Sequence, residues 1–223
     1  AWRISRHSVL TRRIPVIETL GAATVLCVDK TGTLTQNRMS ISKLFTAGKV
    51  FDASDSAGKE LPEHFHRLAE FGILASKKDP FDPMEKALRE LGASRLAATE
   101  HLHDNWSLVR EYPLSPELLA LSHVWQSPDK TQLMVAAKGA PEAIADLCHL
   151  DARQREDLVG QVAGMAEQGL RVLGVAQGRP VAQSDLPRIQ HDFEFEFLGL
   201  VGLADPIRPA VPQAIQECYS AGV

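Results

Sequence analysis

The chain has 223 residues, of which 44% are hydrophobic and 23% are charged, and its formal net charge is −4. This length suits one large domain or two small ones, and the composition is that of an ordinary globular protein with a real hydrophobic core. The acidic excess is slight, so binding to nucleic acid or to an anionic membrane surface is not expected.

The three cysteines, Cys27, Cys148 and Cys218, lie far apart in the sequence and form no CxxC pair. A disulfide framework or a zinc site is therefore not expected, and a reducing compartment fits best. No apolar run approaches the roughly 20 residues that cross a bilayer. The basic start lacks the apolar segment of a signal peptide and an initiator Met, and we expect both ends to be cut from a longer protein.

The first predicted element is a short buried strand, ATVLCVD, which ends at Asp29. Its uninterrupted apolar character is typical of a parallel sheet. A loop, TGTLTQN, follows, and residues 39–50 have a strand-like pattern. The polar stretch FDASDSAGKELP then predicts an exposed loop.

Helical spacing predicts a helix over EHFHRLAEFGILAS and a shorter one over PMEKALRELGA. Pro83 at the start and Gly92 at the end of the second helix follow the usual preference for proline and glycine at helix ends. The remaining segments predict strands at WSLVREYPL, LLALSHVW, TQLMVAAKG, RVLGVAQG and FEFEFLGLVGLAD, and helices at APEAIADLCHL, ARQREDLVGQVAGMAEQGL and RPAVPQAIQECYSAG.

The order of these elements predicts an α/β protein with two domains. Several antiparallel strands with helices occupy the middle, while both ends have the pattern of a parallel sheet. Two apolar strands, one ending at Asp29 and the other at Asp205, belong to those ends. We therefore predict that one domain is inserted into another.

Asp29 lies at the carboxyl end of the first predicted strand and is followed directly by Lys30, Thr31 and Gly32. A carboxylate can attack phosphorus to form an aspartyl phosphate, while a lysine, hydroxyls, backbone N–H groups and magnesium neutralise the transferring group. Thr31 is a poor general acid or base for the later attack of water, so the phosphoenzyme should persist. A long-lived phosphoenzyme suits a protein that uses this intermediate to drive motion. The structural alternative is a strand that ends in a polar turn.

The seven residues DKTGTLT, from Asp29 to Thr35, resemble the phosphorylation motif of the P-type ATPases, the ion pumps of membranes. The resemblance spans essentially the whole chain and favours the calcium and cation pumps over the heavy-metal pumps. It implies an antiparallel-sheet nucleotide-binding domain with flanking helices at residues 39–202, inserted into a partial haloacid-dehalogenase-like (Rossmann-like) phosphorylation domain. Residues 1–38 and 203–223 would be the two parts of that outer domain.

Further motifs resemble segments of the same family in the same order: DPMEKAL, YPLSPELLALS, KGAPE, GLRVLGVA and DPIRPAV. The resemblance implies catalytic roles for Asp29, Lys30 and Thr31, with Asp29 and Thr31 as magnesium ligands and a remaining ligand outside this chain. It implies nucleotide-binding roles for Asp82, Glu85, Leu114, Lys138, Gly139, Arg171, Asp205 and Arg208.

Several of these side chains have an ordinary structural alternative. Glu85 and Lys138 would then be solvated surface charges. Arg171 would complement the end of the preceding helix, and Asp205 would be a turn residue. For Lys138, a position between a strand end and a helix start also favours an anion pocket.

The adenine-stacking strand departs from the family pattern. Leu114 occupies the position of the usual aromatic residue and Leu119 that of a basic one. Tyr112 or Trp106 would compensate if exposed, although packing is the simpler role for both. The histidine pairs His64/His66 and His101/His103 have no spacing typical of a metal site and are interpreted as solvated pairs.

Three functions compete. The first is a fragment, at the cytoplasmic face of a membrane, of an ATP-driven cation pump that uses ATP and Mg²⁺ and has the membrane and actuator domains of the same pump as partners. Asp29 would be phosphorylated in the intact pump, while the isolated fragment would be inactive. The second is a soluble haloacid-dehalogenase-type phosphatase with a cap domain. The third is a binding module that holds nucleotide without turnover.

Overall fold

The computed structural model describes residues 22–53, 60–97, 99–179 and 186–223. The chain forms two compact units, one from Arg38 to Asp205 and another that includes Pro206–Val223 and the residues up to Asn37. Assignment of the segments 1–38, 39–202 and 203–223 to the predicted domains stays a prediction, because compactness alone does not identify a fold. The basic start of the chain and residues 54–59 of the predicted loop lie outside the described residues.

A sheet of seven strands forms the centre of the Arg38–Asp205 unit. All neighbouring strands are antiparallel, in the order β2-β1-β7-β6-β5-β4-β3. The strands are β1 (Ser40–Thr46), β2 (Lys49–Asp52), β3 (Ser107–Tyr112), β4 (Ala120–Gln126), β5 (Leu133–Gly139), β6 (Arg171–Gly178) and β7 (Phe195–Ala204). The predicted antiparallel sheet is therefore confirmed. The assignment of the apolar strand before Asp205 to the parallel-sheet ends was wrong, because that strand is β7 and pairs antiparallel with β1 and β6.

Helices cover both faces of this sheet. The helices of the described residues are α1 (His66–Leu74), α2 (Pro83–Arg95), α3 (Pro141–Leu147), α4 (Ala152–Ala166) and, in the other unit, α5 (Val211–Ser220). Helices α1 and α2 pack on one face through a core that includes Leu44, Leu68, Leu88, Trp125 and Val201. Helices α3 and α4 cover the other face, where Ile144 and Leu158 are buried.

Helix α2 begins as predicted but ends later. Pro83 is in its first turn, and the helix continues past Gly92 to Arg95. A Cβ atom at Gly92 would lie 2.5 Å from Cδ1 of Ile73 on α1. Gly92 therefore permits close packing of the two helices, and the prediction that it terminates α2 was wrong.

The predicted buried strand ATVLCVD does not form in the described residues. This segment has no strand hydrogen bonding, and its side chains are exposed, for example 76% at Val25 and 61% at Leu26. An apolar strand is buried only where neighbouring strands pair with it and helices cover its faces. The described residues include no such neighbours, so the parallel-sheet domain stays a prediction.

Candidate functional site

A buried ion pair lies where β5 ends. Lys138 Nζ donates to Glu85 Oε1 and to Ser76 Oγ, each at 2.7 Å. Lys138 is 6% exposed and Glu85 is 8% exposed. The alternative that these two residues are solvated surface charges is therefore wrong for both.

The start of α2 places Glu85 at this site. Asp82 caps the helix by accepting hydrogen bonds from the backbone N–H groups of Met84 and Glu85, at 2.8 and 3.2 Å. Glu85 falls in the first turn, where the helix dipole favours a carboxylate. Its second oxygen accepts the backbone N–H of Lys77 at 3.3 Å. Both Glu85 oxygens are therefore hydrogen-bonded within the fold.

Ser76 is a member of the site that the sequence did not reveal. It lies just beyond α1, is fully buried, and donates its hydroxyl to the Gly72 carbonyl at 2.9 Å while accepting from Lys138. No motif marks a serine after a helix as functional. Only the packing of α1 and α2 on the same face of the sheet brings Ser76 to Lys138.

The charge of Lys138 is balanced within this cluster. Burial lowers the pKa of Lys138, and the hydrogen bond and charge of Glu85 oppose that shift. An ammonium carries three N–H donors, and Glu85 and Ser76 take two of them.

Arg171 lies on the same face of the sheet as Lys138. Lys138 pairs with Val175 across β5 and β6, and Arg171 lies four residues before Val175 on β6. Side chains that differ by an even number of positions along a strand share a face, and four residues span about 13 Å. Arg171 is exposed, so this face carries a buried cation and an accessible one.

The two leucines that occupy the family's aromatic and basic positions differ in exposure from the two aromatic residues considered as compensation. Leu114 and Leu119 are exposed, at 55% and 47%. Tyr112 and Trp106 are packed in the interior, and Tyr112 Oη donates to the Pro187 carbonyl at 2.6 Å. The structure therefore agrees with a packing role for both aromatic residues.

Gly139 is required by the close approach of β4 and β5. A Cβ atom at Gly139 would lie 2.3 Å from the Leu119 carbonyl oxygen and 2.6 Å from Cα of Ala120. Both contacts are with backbone, which cannot rotate away. The glycine therefore keeps β4 against the end of β5, next to Lys138.

We expect Gly139→Ala to lower the free energy of unfolding by about 1–3 kcal/mol, because the added methyl group forces two strands apart. Urea denaturation measures the change. Gly160→Ala is the matched control, since nothing lies within 4 Å of the Cβ position there in α4. That control is expected to stabilise the chain by about 0.5–1 kcal/mol. Equal stability of Gly139→Ala and the parent chain would contradict the steric role.

Asp29, Lys30 and Thr31 lie in the other compact unit. Asp29 precedes a single turn formed by Lys30–Leu34, and its exposed carboxylate does not cap that turn. The backbone N–H and Oγ1 of Thr35 both donate to the Lys30 carbonyl, at 3.1 and 3.2 Å. The buried Thr35, which the sequence did not single out, thus holds the shape of the loop that carries Asp29.

The structure places Asp205 and Arg208 in different surroundings. Arg208 Nη2 donates to the Gly32 carbonyl at 2.9 Å, and its backbone N–H donates to the Leu34 carbonyl at 2.9 Å. Asp205 Oδ1 accepts the backbone N–H of Arg38 at 3.2 Å in the Arg38–Asp205 unit. Arg208 thus supports the loop after Asp29, while Asp205 joins the two ends of the larger unit.

The histidines at 101 and 103 are not a solvated pair. His101 Nδ1 and His103 Nε2 lie 2.7 and 2.6 Å from the two oxygens of Glu70, which is 6% exposed. The prediction failed because Glu70, on α1, is distant in sequence from both. In the described residues no group of three or more potential ligands is arranged to hold a metal ion.

His123 is buried under the same face of the sheet and is 0% exposed. Its Nδ1 lies 3.1 Å from the Leu74 carbonyl, so that nitrogen is the donor. Its Nε2 is buried without a hydrogen-bond partner in the described part of the chain, and the nearest carboxylate oxygen, Oε1 of Glu111, is 3.9 Å away. Burial lowers the pKa of His123, against the opposing effects of the Leu74 hydrogen bond and the Glu111 charge.

We expect His123 to make the fold less stable as the pH falls below about 6.5, because the unfolded chain then binds a proton that the folded chain excludes. The slope contributed by one such group reaches about 1.4 kcal/mol per pH unit. Urea denaturation at several pH values measures it. His123→Asn, which keeps a donor for the Leu74 carbonyl, should flatten the slope, while His64→Asn, an exposed site, should not. Identical slopes for His123→Asn and the parent chain would refute the assignment.

The Arg38–Asp205 unit thus combines an antiparallel sheet flanked by helices with a buried Lys–Glu pair at a strand end. Residues 77–210 match the family described as P-type ATPase, cytoplasmic domain N. This match covers more than half of the chain, which therefore belongs to the P-type ATPases, as the DKTGTLT and KGAPE motifs predicted. Among the described residues, no helix has the length and apolar character needed to span a bilayer.

Curated relatives are similar over nearly the whole chain. It is 27% identical over 256 residues to the calcium-transporting ATPase of Bacillus subtilis, covering 99% of this chain and 28% of that protein. It is 29% identical over 261 residues to the cation-transporting ATPase pma1 of Synechocystis, covering 99% and 28%. It is 28% identical over 271 residues to the sodium/potassium-transporting ATPase subunit alpha-4 of Rattus norvegicus, covering 100% and 26%. The chain thus spans about a quarter of the length of these relatives.

Proposed function

We propose that this chain is the nucleotide-binding domain and part of the phosphorylation domain of an ATP-driven cation pump. The observation that carries the proposal is the buried Lys138–Glu85–Ser76 cluster, which shares a face of the sheet with the accessible Arg171. This part of the pump would lie at the cytoplasmic face of a membrane, the whole pump would be an integral membrane protein, and its membrane and actuator domains would be the partners. The length of the curated relatives supports a longer protein.

The site would hold ATP through complementary charge and shape. Lys138, which uses two of its N–H groups within the cluster, would contribute its positive charge and its third N–H, and the exposed Arg171 would contribute a guanidinium suited to bidentate phosphate binding. Glu85 and Ser76 hold the Lys138 amine in one position, so little side-chain freedom is lost on binding. Asp82 contributes by fixing the start of α2.

Asp29 would be the nucleophile that accepts the γ-phosphoryl group. One carboxylate oxygen attacks the γ-phosphorus, an O–P bond forms, the bond to the β,γ-bridging oxygen breaks, and ADP leaves with the electron pair. Lys30 would neutralise charge on the transferring group. Because Thr31 is a poor general base, attack by water is slow and the aspartyl phosphate persists long enough to drive ion movement.

The oxygen atoms of Asp29 and Thr31 are suitable ligands for a hard cation. Its exposed carboxylate is not used to cap the following turn, and oxygen ligands are what Mg²⁺ prefers. Asp29 and an oxygen of Thr31 would hold the ion, with a further ligand supplied from outside this chain. When bound, Mg²⁺ supplies positive charge that stabilises the phosphates.

Titration of the ¹⁵N-labelled chain with ATP, followed by NMR, tests nucleotide binding. Chemical-shift changes are expected around Lys138 and Arg171, and Arg171→Ala should weaken binding about tenfold or more through the loss of a charge-assisted contact. Arg153→Ala, at an exposed arginine of α4, is the matched control and should bind ATP as the parent chain does. Absence of shifts at millimolar ATP would refute the proposed pocket.

A further inference from the structure

We propose that Phe81 is the surface on which the purine base of the nucleotide stacks. This inference rests on the proposed function and assigns the base-binding residue of that same site. It concerns a residue for which neither the motifs nor the hydrophobic core gives a role.

Phe81 is exposed to an unusual degree for a large apolar side chain. Its side chain is 95% exposed, more than any other large hydrophobic residue in the described part of the chain. Within the described residues of the Arg38–Asp205 unit, it is the single aromatic among the exposed large hydrophobic residues. A base needs an accessible π-face, and in this unit Phe81 supplies it.

The backbone holds Phe81 just before the start of α2, the helix that carries Glu85 of the buried cluster. It directly precedes Asp82, the cap of α2, and Glu85 follows in the first turn of that helix. Pro80 and Pro83 stand on either side of the Phe81–Asp82 pair, and each proline restricts its own φ and the conformation of the residue before it. The ring is therefore presented on a short, restrained segment that is continuous with the residue that holds Lys138.

One cation lies close to the ring. Nζ of Lys86, on the first turns of α2, lies 5.6 Å from the centroid of the Phe81 ring. This cation–π contact restricts the ring and places an ammonium group at the edge of the site. A nucleotide combines the two features that this edge would bind, a flat base and a chain of phosphates.

The alternative base-binding positions are less suitable. Leu114 and Leu119 are exposed but aliphatic, so they offer contact area without a π-face. Tyr112 and Trp106 have the rings, but both are packed in the interior. Phe81 combines exposure and aromatic character, and it lies four residues before Glu85 in the sequence.

The experiment compares ATP with inorganic tripolyphosphate, which has the phosphates but no base. Calorimetric titrations of the chain are expected to show that Phe81→Ala weakens ATP binding about tenfold, in the range found for loss of one base–aromatic stack, and leaves tripolyphosphate binding unchanged. Phe81→Trp should restore ATP affinity, and the fluorescence of the new tryptophan should respond to ATP but not to tripolyphosphate. Val159→Ala, at an exposed site on α4, is the control and should bind both ligands normally.

Three results would overturn the inference, and they have different consequences for the proposed function. If the parent chain and Phe81→Ala bind ATP equally well, Phe81 does not bind the base, and the proposed function stands. If Phe81→Ala loses ATP and tripolyphosphate to the same extent, the residue acts on the fold and not on the base. If the parent chain binds neither ligand, the proposed function fails and the inference fails with it.

Discussion

Asp29→Asn in the full-length pump is expected to abolish the incorporation of label from [γ-³²P]ATP into the protein and, with it, ATP hydrolysis. Asparagine has nearly the same shape as aspartate, but its neutral amide is a poor nucleophile for phosphorus. The exposed Asp29 side chain does not cap the following turn. The substitution should therefore remove the chemistry without disturbing the turn over Lys30–Leu34.

The label itself identifies the product. An acyl phosphate survives acid and is cleaved by hydroxylamine. The phosphate esters of serine and threonine also survive acid, but hydroxylamine does not cleave them. Asp157→Asn, at an exposed aspartate in α4, is the matched control and should be phosphorylated normally. Acid-stable label in Asp29→Asn that hydroxylamine releases would show that another carboxylate is the nucleophile.

Glu85→Ala is expected to lower the free energy of unfolding by about 3–5 kcal/mol, because it leaves the Lys138 ammonium buried and unpaired. The backbone N–H of Lys77 also loses its acceptor. Urea denaturation measures the loss. Glu142→Ala, which removes an exposed glutamate from the first turn of α3, should change stability by no more than about 0.5 kcal/mol.

The double variant Glu85→Met/Lys138→Met separates stability from ligand binding. Replacement of a buried ion pair by apolar side chains of similar volume is often neutral or stabilising. We therefore expect the double variant to recover most of the stability that Glu85→Ala loses, and to bind ATP more weakly than the parent chain because it lacks the Lys138 ammonium. A double variant as unstable as Glu85→Ala would show that the pair stabilises the fold through more than mutual neutralisation.

The sequence predicted the larger unit well because local patterns determine it. Alternation and length identified β3 to β7, and the start of α2 was evident from Pro83. The hairpin of β1 and β2 was predicted only as one strand-like stretch over residues 39–50, and the end of β2 at Asp52 was wrongly predicted as loop. Position after a strand and before a helix also marked Lys138 as a candidate for an anion site. The family motifs placed Glu85 and Lys138 at one site, and the structure joins them directly at 2.7 Å.

Features that depend on distant partners were not predicted. Ser76 contacts Lys138, 62 positions away, and Glu70 contacts His101, 31 positions away. Gly92 has the local pattern of a helix end, yet Ile73 on the neighbouring helix decides its role. In each case the deciding contact is made by tertiary packing, for which the single sequence carries no local signal.

The two ends of the Arg38–Asp205 unit lie next to each other. Ser40 at the start of β1 pairs with Ala204 at the end of β7, and the Asp205 carboxylate accepts the N–H of Arg38. Residues paired in this way have Cα atoms about 5 Å apart. A domain whose ends meet so closely can be transferred into a surface turn of an unrelated protein, or closed into a ring, with little loss of chain entropy. The architecture thus makes the Arg38–Asp205 unit a transplantable module.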